Sequence, residues 1–277
     1  MQIQQARAHI MATLASGESP RADADALLCH LLDCRRSYLM TWPEHELDAA
    51  QQATLAGWLA RRLNGEPIAH LIGEREFWSL PLKVSPATLI PRPDTEVLVE
   101  QALARLPGGP CALLDMGTGT GAIALALKSE RPDADVWAVD RMPAAAALAR
   151  TNSAALGLPI EVRDGSWFAP LSDAPRFAMI VSNPPYIDGA DPHLHEGDVR
   201  FEPRSALVAE EQGLADIRLI VTQAPAHLVP GGWLLLEHGW DQGEAVRQLL
   251  LQQGYVQVET VRDYGDNERV TLGRLAQ

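Results

Sequence analysis

The residues best suited to chemistry in this chain are Asn183, Pro184, Pro185 and Tyr186, which follow directly on the apolar run Phe177-Ala178-Met179-Ile180-Val181. A short run of that kind reads as a buried parallel strand, so the tetrapeptide falls where the strand opens into a loop. Neither proline has an N–H to give to a ladder. A residue that precedes proline is pushed toward extended or polyproline geometry, which applies to Asn183 and Pro184 alike. The loop is therefore stiff and holds the Asn183 side-chain amide and the Pro184 carbonyl in fixed directions. Two acceptors placed in this way can grip the –NH2 of a planar amide or amino group, with Tyr186 offering a face to stack on. This is chemistry for a weakly nucleophilic nitrogen.

A second constellation lies upstream. Leu113-Leu114-Asp115-Met116 reads as a buried strand that runs into Gly117-Thr118-Gly119-Thr120-Gly121 and then a helix. Glycines at every second position let the backbone turn tightly and approach a ligand with no Cβ in the way. Asp140 ends the next strand, Val136-Trp137-Ala138-Val139, where a carboxylate can accept both hydroxyls of a ribose. The glycines alone describe a tight turn and a helix cap equally well; Asp140 tips the balance toward an adenosine-containing cofactor. NAD and S-adenosylmethionine are the two candidates. The spacing here is G-x-G-x-G, whereas the dinucleotide fingerprint has its third glycine one position later, so S-adenosylmethionine is favoured. After the third strand of this region, Gly165-Ser166-Trp167-Phe168 reaches the place beside an adenine. Trp167 there is either a stacking face or a residue packed under a loop.

The elements that must position these residues follow from hydrophobic periodicity. Residues 1–75 read as all-helical. Ser19-Pro20 supplies an N-cap and an N1 proline, and Ala24, Leu27, Leu28, Leu31 and Leu32 fall on one helical face. A further helix starts at Asp48, buries Leu55, Trp58, Leu59 and Leu63, and stops at Asn64-Gly65. Residues 76–92 read as a β-hairpin linker interrupted by Pro81, and a helix from Thr95 runs to the stop Pro107-Gly108-Gly109-Pro110. Beyond it strands near 111–116, 134–139, 160–163, 177–182, 232–237, 254–261 and 269–275 alternate with helices near 120–130, 143–156, 213–229 and 241–253. Alternation of this kind predicts an α/β fold with a mostly parallel sheet covered on both faces. Gly265-Asp266-Asn267 is too short for a parallel crossover, so the final strand is antiparallel.

The totals bound the function. The 277 residues, 47% hydrophobic and 21% charged, have an ordinary globular composition. The net charge of −13 disfavours a broad phosphate-tracking surface, and most of it falls outside residues 1–75, which carry only −2. Cys29, Cys34 and Cys111 have no C-x-x-C spacing and suit reduced thiols in a cytoplasmic protein. The first residues lack the basic head and apolar block of a secretory signal, and no apolar stretch approaches the length of a membrane span. His193, His195, His227 and His238 lack metal-ligand spacing.

With these residues in hand, the chain resembles the class I S-adenosylmethionine methyltransferases and, more narrowly, the PrmC (HemK) family, which methylates the glutamine of the Gly-Gly-Gln motif in bacterial peptide chain release factors. The likeness runs through Gly65-Glu66-Pro67-Ile68-Ala69-His70, Phe77-Trp78, Leu89-Ile90-Pro91-Arg92-Pro93-Asp94-Thr95-Glu96, the glycine loop, Asn183–Tyr186, Phe201-Glu202-Pro203-Arg204 and Asp263-Tyr264-Gly265-Asp266-Asn267-Glu268-Arg269. Ser166 departs from it, standing where family members often carry an acid.

The resemblance implies a seven-stranded Rossmann-like methyltransferase domain over 93–277 and a small substrate-docking helical domain over 1–75. It implies in-line methyl transfer from S-adenosylmethionine, leaving S-adenosylhomocysteine, to the N5 nitrogen, with no metal. Asn183, Pro184, Pro185 and Tyr186 would bind the substrate, with Asn183 and the Pro184 carbonyl accepting the two N–H bonds and Tyr186 packing on the amide plane. Gly117, Thr118, Gly119, Thr120, Gly121, Asp140, Trp167 and Asn183 would hold the donor. Release factors 1 and 2 are the implied partners of a monomeric protein with no role for direct nucleic-acid or membrane binding. Asn-Pro-Pro-Tyr also serves adenine-N6 and guanine-N2 methyltransferases. A nucleic-acid N-methyltransferase, an enzyme for glutamine in another protein such as a ribosomal protein, and a non-catalytic binding protein are therefore the competing readings.

Overall fold

Helical spacing of apolar residues organises the N-terminal part of the chain into α1 (Ile3–Thr13), α2 (Pro20–Leu31), α3 (Arg36–Thr41), α4 (Ala49–Leu63) and α5 (Ile68–Ile72). The computed structural model describes residues 1–15, 17 and 19–277, which divide into two units, Met1–Glu74 and Arg75–Gln277. Ile3, Ile10, Leu27, Leu28, Leu55 and Leu59 form the heart of the helical unit. Asp48 starts α4 with a reciprocal capping box: its carboxylate accepts from Gln51 N at 2.7 Å, and the Gln51 side chain accepts from Asp48 N at 2.9 Å. Ser19 stands at the N-cap of α2, although its side chain makes no capping bond. Two expectations for this unit are corrected: Trp58 is only half-buried, and Leu63 is 63% exposed because the last turn of α4 runs past the apolar core.

The second unit opens with a hairpin of β1 (Glu74–Phe77) and β2 (Leu80–Lys83), whose first residue lies at the boundary between the units. Trp78 and Ser79 connect the strands, both with positive φ, as a two-residue turn matched to strand twist requires. After α6 (Glu96–Leu103) come β3 (Ala112–Met116), α7 (Ala122–Glu130), β4 (Asp135–Asp140), α8 (Pro143–Leu156), β5 (Glu161–Asp164) and β6 (Phe177–Ser182). Two-residue strands β7 (Ile187–Asp188) and β8 (Val208–Ala209) pair in parallel and close the base of the loop between them. The chain ends with α9 (Ala215–Gln223), β9 (Leu228–Glu237), α10 (Gly243–Gln252), β10 (Tyr255–Arg262) and β11 (Glu268–Leu275). Among the described residues no helix is long and apolar enough to cross a membrane.

The large sheet has the order β10-β11-β9-β6-β3-β4-β5, parallel except that β11 runs antiparallel to both its neighbours. This is the seven-stranded, mostly parallel sheet expected from the alternation. Its strands alternate between two cores. Leu113, Ala138, Met179, Val181 and Leu235 face α6, α7 and α8, while Leu114, Val139, Ile180, Leu234 and Leu236 face α9 and α10. The chain leaves β3 toward β4 on one side and returns to β6 on the other. The loops after β3 and β6 therefore diverge from neighbouring strand ends, with Met116 in register with Ser182. A crevice at such a reversal of strand order is where open α/β sheets bind ligands.

The helix expected over 213–229 is shorter, since Pro225 cannot donate to a continuing α-helix and a 3-10 turn, Ala224–Ala226, intervenes. The strand expected at 232 begins at Leu228 instead. The β7–β8 pair was not foreseen, because two residues carry no periodicity.

Asn152, buried in α8, pins the hairpin to the glycine loop. Its Oδ1 accepts from Lys83 N at 2.9 Å, and its Nδ2 donates to Lys83 O at 3.0 Å and Thr120 O at 2.9 Å. Asn152→Ala strands three backbone groups and is expected to cost roughly 2–4 kcal/mol. Urea unfolding would show this as a lower midpoint at unchanged slope.

Candidate active site

The glycine loop turns where β3 ends. Gly117, Gly119 and Gly121 all have positive φ, the left-handed region that glycine enters without a Cβ penalty. The N–H groups of Gly117 and Thr118 both reach Val139 O, at 2.9 and 3.0 Å, which ties the loop to the end of β4. There Asp140 is held from two sides: Gly119 N donates to Oδ2 at 2.9 Å and Met142 N to Oδ1 at 2.8 Å. Burial raises the pKa of Asp140, and these two backbone donors work against the rise. Deeper still, Asp115 accepts from Thr118 Oγ1 at 2.6 Å and Ala124 N at 3.2 Å, and burial pushes its pKa up to about 7.

Around this loop lies a cleft with about 890 Å³ of space, its open mouth included, within the range of small-molecule sites. Gly117, Thr118, Gly119, Thr120, Asp140, Trp167, Asn183 and Pro185 line it together. The structure thus gathers most of the residues singled out from sequence around one cavity, with Phe77, Thr88, Arg92 and Thr95 completing the walls. Gly121, Pro184 and Tyr186 are not among its lining residues. Gly121 is the N-cap of α7, and a Cβ there would meet Leu125 and Ala149 within 3.3 Å, so the position serves helix packing. Trp167 has φ +48°, an uncommon conformation for a bulky residue; its ring lies over Gly117 and its indole faces Asp216. Asp164, near the departure at Ser166, is paired with Arg150 at 3.2 Å.

Asn183 sits at the end of β6, against Thr95. Its Nδ2 donates to Thr95 Oγ1 at 3.2 Å, which leaves Oδ1 for another donor. Tyr186 is packed inward toward Arg269 and Glu237, and burial pushes its pKa well up. Its backbone carbonyl accepts from Gln242 Nε2 at 3.0 Å. Gly213 passes so close that a Cβ there would lie 2.0 Å from Tyr186 O. The proline-braced loop is thus clamped from behind as well as stiffened from within.

Glu237, at the end of β9, is a buried acid beside β6 that sequence reasoning did not single out. It is 2% exposed, and burial pushes its pKa up to about 7 against the influence of Thr95, Arg269 and Tyr186. Oε2 has no partner at hydrogen-bond distance, although both hydroxyls face the carboxyl closely enough to lower its pKa. The signal available was an acid ending the run Leu234-Leu235-Leu236, where an apolar strand has no structural need of one.

The remaining motif residues brace the cleft. Glu202 accepts from Ile90 N at 2.9 Å and from Arg92 Nη2 at 2.8 Å, so the segment after β7 is bonded to the wall that carries Arg92 and Thr95. Glu96 accepts from Trp78 N at 3.0 Å, and Arg269 pairs with Asp263 at 3.0 Å. Arg92 and Arg269, both within the motif segments, are thus held in ion pairs with Glu202 and Asp263.

The chain is similar to known proteins along nearly its whole length. A profile described as the PrmC N-terminal domain matches residues 5–73, and one described as a methyltransferase small domain matches residues 93–198. The chain is 61% identical over 265 residues to the release factor glutamine methyltransferase of Escherichia coli strain K12, covering 95% of each chain. It is 57% identical over 264 residues to the protein of that name from Pseudomonas aeruginosa strain PAO1, again covering 95% of each. Among solved structures, a methyltransferase from Pyrococcus furiosus superposes with a TM-score of 0.57 at 17% identity, covering 80% of this chain and 100% of that one, a likeness of fold.

Glu202→Ala leaves Ile90 N and the Arg92 guanidinium without their acceptor. The expected cost is about 1–3 kcal/mol, discounted from a fully buried pair because Arg92 is partly exposed. Limited proteolysis between residues 189 and 207 is expected to quicken, and an unchanged cleavage rate would contradict the bracing role.

Proposed function

The chain belongs to the release factor glutamine methyltransferase family, and from that premise we propose that it transfers a methyl group from S-adenosylmethionine to the side-chain amide nitrogen, N5, of the glutamine in the Gly-Gly-Gln motif of peptide chain release factors, modulating translation termination. The observation that carries this reading is the meeting of the glycine loop and Asn183 at adjacent ends of β3 and β6, across one cleft.

The residues present fit the donor. The loop exposes backbone without side chains at Gly117 and Gly119, Asp140 offers a carboxylate fixed by two backbone bonds for a ribose diol, and Trp167 supplies a flat apolar wall for a base. When bound, S-adenosylmethionine supplies a methyl carbon activated by a sulfonium. The chain's own part is to present the acceptor. An amide lone pair is delocalised into its carbonyl, so the nitrogen attacks poorly unless it is held in line. Asn183 Oδ1 and the Pro184 carbonyl accept the two N–H bonds, aim the nitrogen, and favour the positive charge that builds on it. Tyr186, its hydroxyl end fixed in the protein, packs on the amide plane.

Residues 1–75 are assigned the docking of the release factor, 76–92 the hairpin linker, and 93–277 the transfer. Release factors 1 and 2 are the partners of a monomeric, cytoplasmic enzyme that uses no metal. Methylation of nucleic acid through the same loop is the second reading. The net charge of −13 weighs against it, because phosphate-bound substrates are gathered by clustered cations.

A labelled-methyl assay with a release factor, its Gly-Gly-Gln glutamine-to-alanine variant, DNA and ribosomal RNA decides between them. Label is expected on the intact factor alone; label on nucleic acid and not on the factor overturns the proposal. Asn183→Ala is expected to lower kcat by about a hundredfold or more with donor affinity nearly kept. Asp140→Ala is expected to weaken donor binding by about tenfold, which calorimetry with S-adenosylhomocysteine would measure.

A further inference from the structure

The loop between β7 and β8 returns to the donor cleft near its end. Its base is closed by the β7–β8 pair and by Ile187 N, which donates to Leu207 O at 2.9 Å. Just before that base come Glu202 and a 3-10 turn, Arg204–Ala206, and here Ser205 and Ala206 join the lining of the cleft. Arg92 and Arg141 line it as well. Residues 202–206 are bonded to both of them, Glu202 to Arg92 and Ser205 to Arg141. They form a bridge whose ends are tied to two residues of one cavity wall.

The two ties differ in kind. At one end the Glu202 side chain is wholly buried and accepts two bonds, from Ile90 N and from Arg92. At the other end Arg141, an exposed residue, donates through Nη2 to the Ser205 carbonyl at 2.8 Å. Breaking the bonds of a buried carboxylate costs its full desolvation, whereas water replaces an exposed donor at small loss. The Arg141 tie therefore yields first, and the Glu202 tie remains as a hinge. The yielding tie is mounted on the turn assigned to the ribose: Arg141 directly follows Asp140, whose Oδ1 accepts from Met142 N at 2.8 Å. The charge of Arg141 also acts on Asp140 and Asp216, so the tie and the charge have to be separated by experiment.

We infer that Arg141 is a positioning residue for the donor: through Ser205 it holds the 202–206 bridge against the bound ligand, and release of that tie sets the rate at which S-adenosylhomocysteine leaves. This rests on the reading of the cleft as the donor site given above. A bridge held at both ends is one mechanical unit, so freeing either end loosens the wall that Ser205 and Ala206 supply. Loss of the second tie then adds little, because the two act through the same segment. A charge acting on the donor independently of the bridge would give losses that multiply.

The test is the release rate of labelled S-adenosylhomocysteine, chased with unlabelled ligand, in wild type, Arg141→Met, Arg141→Lys, Glu202→Gln and the Arg141→Met/Glu202→Gln double variant. Limited proteolysis between residues 189 and 207 is followed beside it, with and without ligand. Arg141→Met is expected to release the ligand about tenfold faster, with an association rate within about twofold of wild type. Arg141→Lys keeps a donor for the carbonyl and is expected to return to within about threefold of wild type. The double variant is expected to release no more than about twofold faster than the quicker single variant. Without ligand, cleavage is expected to quicken in Arg141→Met, and ligand is expected to slow it in wild type. An Arg141→Met enzyme with the wild-type release rate overturns the inference, as does a double variant whose acceleration is the product of the two singles. Should Glu202→Gln fail to fold, unchanged cleavage of ligand-free Arg141→Met overturns it equally. If wild type binds no S-adenosylhomocysteine, the donor reading fails and this inference falls with it.

Discussion

The parallel pairing of β3 with β6 is the constraint on which the rest of this protein depends. Once Met116 is set opposite Ser182, with Ser182 Oγ donating to Met116 O at 2.7 Å, the two loops that follow must start a strand spacing apart. One loop is rich in glycine, with backbone bare of side chains; the other is rich in proline and stiff. A soft wall and a hard wall thus arise side by side from a single register. Slipping that register by one residue would turn every side chain of β6 to the opposite core, so the hydrophobic alternation of Met179, Ile180 and Val181 protects the site as firmly as it protects the fold.

Two acids sit in the low-dielectric floor of this arrangement, and burial raises both to about 7. Asp115 bonds to Thr118 and Ala124 and so stabilises the start of the glycine turn, while one of its oxygens, Oδ1, goes without a partner. Glu237 lies on the far side of β6, two strands from Asp115, and faces hydroxyls rather than backbone N–H groups. Desolvation disfavours the charged form in both.

How much of this was legible in the sequence depended on the range over which each signal acts. Strand and helix alternation, the antiparallel final strand, the glycine loop and Asn183–Tyr186 are local patterns, and they appear in the structure close to where the residues predicted them. Asp140 was legible because its distance from the glycines is set by one helix and one strand. Glu237 was not, since its place beside the end of β6 comes from a register between β6 and β9 that no local window contains. The pairing of Glu202 with Ile90 and Arg92 spans more than a hundred residues of chain and was equally hidden. The limits of α9 and β9 were misjudged for the opposite reason: Pro225 acts on its immediate neighbours and overrode a longer helical pattern. Tyr186 shows a further limit, because its residue type suggested a stacking face while the fold also turned its hydroxyl toward buried charge.

Trp167 carries a consequence of its own. Its left-handed backbone costs on the order of 1–2 kcal/mol for a residue with a side chain, a cost the fold bears at the one place where a flat ring overhangs the glycine turn. Glycine at 167 would relieve that tension and remove the ring in the same stroke. Under the role proposed for Trp167 as the wall for a base, thermal resilience and grip on that base are set against each other at this position, and a search for hardier variants scored on heat tolerance alone would drift toward a chain that survives heat at the expense of that proposed contact.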